Sequence, residues 1–342
     1  MNLWSPDLPV RTPHPVRGAS SWGALTRHPI RRPSVRVAVG VSLLAGMILA
    51  APSTARGAAA DNGSAAGVSR ANSAVATSSW SDEFNGAKGT RPDPSNWVHN
   101  VGGSGWGNQE LENYTSNTSN AHLDGQGNLA IVARPTTSGG CWYGACRYSS
   151  ARLMTLSKFS QKYGHIEARI KVPDGSGLWP AFWALDNNVN DAGGDPAYAE
   201  NDIMELVGSD PMMIYSSLHA TSPAQSKSTC VGYKLPGGKQ YHSGFHVFAA
   251  DWSDTEVTFS VDGHRTATRT KASYGSAWTF DQPMFLVLNL AVGGVWAGSP
   301  PATTTFPATM LVDYVRVTGS PSPVNAAPVI PSNPPGGCDT AG

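Results

Sequence analysis

The chain has 342 residues, a formal net charge of +0 and only 14% charged residues against 40% hydrophobic ones. Balanced charge leaves no electrostatic footprint for nucleic acid, and the apolar share is far from that of a disordered chain. With 37 Gly and 26 Pro the sequence is too punctuated for a helical bundle, which favours short strands joined by turns.

Residues 1–60 carry Arg31, Arg32 and Arg36, then an uncharged run over 37–51, then the small residues Ala58, Ala59 and Ala60. Basic, apolar and small in that order is the layout of a secretory leader. The run falls short of the roughly 20 residues that a spanning helix needs. Export to the extracellular space is therefore expected, and no stable membrane anchor. Residues 61–78 hold almost no large apolar side chain and read as a flexible linker. The Pro-rich stretch 319–342 reads as an extended, disordered tail. The folded unit is expected over 79–318.

Four cysteines, Cys141, Cys146, Cys230 and Cys338, allow three disulfide connectivities in an oxidising compartment. Cys141 and Cys146 are near enough in sequence to close a small loop, which makes them the favoured pair. The absence of a C-x-x-C spacing and of clustered His argues against zinc.

Further along, 165–172 places apolar residues at every second position, the signature of a half-buried strand. Val257, Phe259 and Val261 repeat it and run into Asp262-Gly263, a hairpin turn signal. Residues 284–290 and 311–317 read as two more strands, with Pro300, Pro301 and Pro307 in the loop between them. No segment has a sustained helical period. These elements predict an all-β protein of two packed antiparallel sheets.

The chemistry concentrates in Glu200-Asn201-Asp202-Ile203-Met204-Glu205. On a regular strand Glu200 and Asp202 share a face, and Glu205 points to the other. A β-bulge around Ile203-Met204 would return Glu205 to the side of the other two acids. Like charges in a row repel and raise one another's pKa. A retaining glycosidase uses that arrangement: one carboxylate ionised to attack the anomeric carbon, a second protonated to release the departing oxygen. The competing reading is a solvated acidic edge or a calcium site, since alternating Asp and Glu also ligate hard cations. Nearby, Gly177-Leu178-Trp179-Pro180-Ala181-Phe182-Trp183 and Gly105-Trp106-Gly107-Asn108-Gln109-Glu110 set indoles beside glycines and amides. A sugar ring with one apolar face and a hydroxyl rim suits such surroundings, although Trp179 and Trp183 could equally fill a core.

These residues carry a resemblance. The acidic segment resembles the E-x-D-x-x-E motif of glycoside hydrolase family 16, in the longer laminarinase-type form. Trp80-Ser81-Asp82-Glu83-Phe84, the 105–110 run, Lys162 to Arg169, the 177–183 run and Leu288 to Gly294 are similar to that family in the same order. The resemblance spans about 79–318. It implies a β-jelly-roll sandwich with a concave substrate cleft, in which Glu200 resembles the nucleophile, Asp202 the assisting carboxylate and Glu205 the general acid/base. Asn201 stands where the family has an aliphatic residue, and its side chain is expected to point away from the cleft.

By the same resemblance Trp179 and Trp183 line the subsite of the cleaved sugar. Asn108, Arg152, His219, Asn289 and Trp296 match or neighbour cleft positions. For Arg152 a surface salt bridge, and for His219 a hydrogen-bonded core position, are the alternatives. Asp313 resembles a position that helps bind a structural calcium on the convex side. The implied activity is endo-hydrolysis of β-1,3 bonds in a β-glucan polysaccharide by a secreted, monomeric enzyme with no catalytic cofactor. A secreted glucan-binding protein and a wall-remodelling transglycosylase on the same fold are the alternatives.

Overall fold

The computed structural model describes residues 78–187 and 198–319. The expected leader, the linker up to residue 77, and the tail from residue 320 with Cys338 lie outside the described residues.

Two large sheets account for the architecture. The seven-stranded one contains, in chain order, β1 (Val98–His99), β2 (Arg152–Met154), β3 (Leu178–Asp186), β4 (Tyr198–Glu205), β5 (Met213–Thr221), β6 (Ser226–Lys234) and β7 (Met284–Val292). Their spatial order is β6-β5-β4-β3-β7-β2-β1, with antiparallel pairing throughout. The ten-stranded sheet is built around Gly164–Lys171, His246–Trp252 and Ala308–Thr318. The helical pieces among the described residues are single turns, such as Gly294–Ala297. The expectation of a jelly-roll sandwich holds.

Alternation decides which side of the seven-stranded sheet meets the core. In β3, Leu178, Phe182 and Ala184 enter the common core; in β7, Met284, Leu286, Leu288, Leu290 and Val292 do the same. From the other sheet Ile166, Ala168, Ile170, Phe248, Val315 and Val317 meet them. Each large apolar side chain so buried contributes roughly 1.5–3 kcal/mol. The residues between them, Trp179 and Trp183 in β3 and Asn289 in β7, are left for the opposite face. A sandwich thus offers its open face at no cost to the core.

The turn after Glu256–Val261 matches its sequence signal. Val261 pairs with His264 across Asp262 and Gly263, whose φ values are 50° and 78°. Both positions of a tight hairpin of this hand need positive φ. Cys141 and Cys146 are bonded to each other, and Cys230 is disulfide-bonded as well.

Candidate active site

The geometry of the site begins with a register shift in β4. Asp202 pairs with Ser217 and Glu205 with Tyr215, so three steps along β4 match two along β5. On the other flank Trp183 pairs with Asp202 and Phe182 with Met204, so Ile203 is the extra residue against β3, and the Ile203–Met204 pair carries the extra residue against β5. Ile203 and Met204 are consecutive and both enter the core, which a regular strand does not allow. The bulge is held by Ser216, whose buried hydroxyl donates to the Ile203 carbonyl at 2.9 Å. Beyond it Glu205 faces the same way as Glu200 and Asp202. Asn201 points into the core, fully buried, with neither side-chain polar atom hydrogen-bonded.

The environments of the three acids differ. Burial, and the charges of Glu200 and Glu205, push the Asp202 carboxyl well above its ordinary range. Burial and the charge of Glu200 push Glu205 up to about 8, against the pull of a hydrogen bond from Trp179. Glu200 is raised by burial, but the positive fields of His219 and Arg152 draw it back toward the ionised form. One end of the row is thereby suited to hold a proton at neutral pH, and the other end to lose it.

The indoles face the same space. Trp179 Nε1 donates to Glu205 Oε1 at 3.0 Å, and Trp296 stands edge-on to both Trp179 and Tyr215 at 5.1 Å. Trp183 Nε1 donates to Asn289 Oδ1 at 2.7 Å. Arg152 is sandwiched, its guanidinium 4.8 Å from the Trp106 ring and 4.9 Å from Trp183. Such contacts are worth about 0.5–2 kcal/mol each. His219 Nε2 lies 3.4 Å from Asp202 Oδ2, and its other nitrogen meets Ser228 Oγ at 2.8 Å. His219 is therefore at the acids rather than in the core, and Arg152 is an aromatic-clamped cation inside the cleft wall.

Ten of the residues singled out in the sequence come together on this face: Glu200, Asp202, Glu205, Trp179, Trp183, Asn108, Arg152, His219, Asn289 and Trp296. Asn108 does so through its loop, its carbonyl accepting from Val295 N at 2.8 Å beside Trp296. Asp313 does not join them. It sits in Ala308–Thr318 of the other sheet, ion-paired with Arg169. The Arg169 guanidinium holds one of the two Asp313 carboxylate oxygens. Among the described residues, one group of three His, Cys, Asp or Glu side chains has the spacing to hold a metal: Glu200, Asp202 and His219, with ligand atoms within 4.8 Å of one another.

A second layer went unread in the sequence. Glu110 Oε1 accepts from Asn108 Nδ2 and Oε2 from Tyr114 OH, both at 3.1 Å, and Tyr114 OH accepts from Asn289 Nδ2 at 3.2 Å. Fully buried Glu112 lies against Glu110; burial and that neighbouring charge push it well above the usual carboxylate range. A neutral Glu112 can share its proton with Glu110, whose charge in turn helps to raise Glu205. The alternation Glu110, Glu112, Tyr114 was the available signal: polar residues two apart share one face.

A sandwich whose open face carries a row of unequal carboxylates between indoles is built as a glycosidase. The profile of glycosyl hydrolases family 16 matches residues 108–316. A β-glucanase of Rhodothermus marinus is 38% identical over 250 residues, covering 70% of this chain and 83% of that protein. The solved laminarinase catalytic domain of Thermotoga maritima is 41% identical, with a TM-score of 0.64 over 70% of this chain and 96% of that one. The endo-β-1,3-glucanase of Pyrococcus furiosus is 40% identical, with a TM-score of 0.63 over 70% and 93%. The chain belongs to glycosyl hydrolases family 16.

Proposed function

We propose that the protein is a secreted, retaining endo-glycosidase that cleaves internal β-1,3-glucosidic bonds of laminarin-type glucans. The reading is carried by the bulge at Ile203, which lets two carboxylates of unequal acidity face one cleft from a single strand. The names of the similar proteins, a laminarinase and an endo-β-1,3-glucanase among them, support the choice of glucan. The leader-like residues 1–60 and the bonded cysteines support export.

In the first step the Glu200 carboxylate attacks the anomeric carbon as Glu205 gives its proton to the departing glycosidic oxygen, which leaves as a hydroxyl. A covalent glycosyl ester remains on Glu200. Glu205, now ionised, takes a proton from water; the water oxygen attacks the same carbon and the ester bond breaks, restoring Glu200 as carboxylate and Glu205 as acid. Two inversions give net retention. The upward shift of the Asp202 carboxyl favours a form that lowers the repulsion along the row and can donate a hydrogen bond to its neighbours. Trp179 and Trp183 offer apolar faces to the sugar being cleaved.

Two measurements test this. Proton NMR of the first product from laminarin should show the β-anomer ahead of mutarotation, and the α-anomer would exclude double displacement. Glu200→Gln should lose turnover while still retaining laminarin on an affinity gel. Full activity of that variant would remove Glu200 from its role, whereas products longer than the substrate in the unaltered enzyme would point to transglycosylation.

A further inference from the structure

Three large hydrophobic side chains are prominently exposed among the described residues: Val101 at 57%, Trp142 at 49% and Val295 at 58%. All of them border one loop, 101–110. Val101 begins it, Trp142 N bonds the Gly103 carbonyl, and Val295 N bonds the Asn108 carbonyl. The same loop sends Trp106 onto Arg152 of β2, the strand two places across the sheet from β3. Exposed apolar side chains set around one loop that also reaches the cleft wall, rather than scattered, mark a binding surface.

Trp142 is held there by several independent contacts. It occupies the tip of the hairpin closed by the Cys141–Cys146 disulfide. Its Nε1 donates to the Glu110 carbonyl at 2.8 Å, and Tyr143 stands edge-on to it at 5.4 Å while bonding the Leu111 carbonyl through its own hydroxyl. Gly105 has a φ of 83° and lies so close that a side-chain carbon there would come within 2.7 Å of the Trp142 ring. The indole N–H is therefore already used, and what the half-exposed ring presents outward is carbon surface. A fixed ring with its polar atom satisfied binds by stacking and loses little conformational entropy on binding.

We propose that Trp142 is an outlying sugar platform, which stacks a glucosyl unit of a β-glucan chain continuing out of the cleft past Trp106. The inference rests on the glucanase reading above and adds to it a site for polymer rather than for short oligosaccharides. The hairpin disulfide then serves the binding of long chains, because together with the Glu110 and Gly103 contacts it keeps the ring in place.

The test uses the full chain in the Glu200→Gln background, so that substrate is bound and not consumed. Affinities for laminarin and for laminaritriose are measured by calorimetry with and without Trp142→Ala. The ratio of laminarin to laminaritriose affinity should fall on the order of tenfold, the upper end for losing one aromatic contact. Trp142→Phe, which keeps an aromatic face without the N–H, should recover most of it. Cys141→Ser/Cys146→Ser supplies a second route to the same loss and keeps the question answerable if Trp142→Ala fails to fold. An unchanged ratio in Trp142→Ala and in the cysteine variant overturns the platform alone, leaving the glucanase reading intact. A change in sedimentation from dimer to monomer with the ratio unchanged would assign the patch to self-association instead. No laminarin binding by any variant overturns both readings.

Discussion

The indole N–H of Trp179 donates to Oε1 of Glu205 at 3.0 Å, from a strand that pairs with the bulged one. A hydrogen bond to the ionised form favours that form, so Trp179 lowers the pKa that burial and Glu200 raise. Glu110 acts in the opposite sense, its charge helping to keep the proton on Glu205.

Opposed shifts of the alkaline limb follow. A general acid must carry its proton, so kcat/KM on laminarin should decline as pH rises through about 8. Trp179→Phe removes a contact that lowers the pKa and should move that decline to higher pH. Glu110→Gln removes a charge that raises it and should move the decline to lower pH. Movement of both variants in one direction would sever Glu205 from the limb.

The bulge depends on Ser216. Without its hydroxyl the Ile203 carbonyl loses a buried donor, which costs about 1–3 kcal/mol. Ser216→Ala should show that loss in urea unfolding, and kcat should fall more than KM rises, because Glu205 is aimed by the bulge. A stability loss with kcat unchanged would mean that the register of β4 holds without this contact.

Asn201 contributes nothing visible to the cleft and leaves its amide unpaired in the core. Asn201→Val should therefore stabilise the fold by about 1–2 kcal/mol, by removing an unsatisfied buried polar group. Its kcat/KM should stay within twofold of the parent. Denaturant midpoints with an unchanged slope provide the check.

Away from the cleft, His165 sits between two acids, 2.8 Å from Asp251 and 3.3 Å from Glu167. Burial alone would lower its pKa, but the hydrogen bonds and charges of Asp251 and Glu167 outweigh it and raise the group from 6.5 to about 9. A group raised on folding stabilises fully below its unfolded value, and that stabilisation is lost as pH climbs through the folded one. Thermal melts of the parent and His165→Gln should differ most below pH 6.5 and converge above pH 9. A gap that persists at high pH would show that the ring contributes by packing and not by charge.

Much of this was legible along the chain because the relevant physics is local. Alternation announced Gly164–Lys171 and Glu256–Val261, Asp262-Gly263 announced its turn, and the odd spacing of Glu200 and Glu205 demanded a bulge. The strands Ser226–Lys234 and His264–Thr270 gave no such signal. Each lies at the edge of its sheet, where one side lacks a neighbouring strand and polar side chains blur the two-residue period.

Sequence alone determined which residue types could do acid chemistry and, through the extra residue in β4, that three of them could share a face. Only the tertiary structure decided how unequal they are. The His219 and Arg152 charges that favour an ionised Glu200, and the Trp179 and Glu110 groups that pull oppositely on Glu205, come from other strands and loops. Fields of that kind depend on distances between segments remote in sequence, and on how far burial removes water from between them. Neither quantity exists until the two sheets have closed on each other.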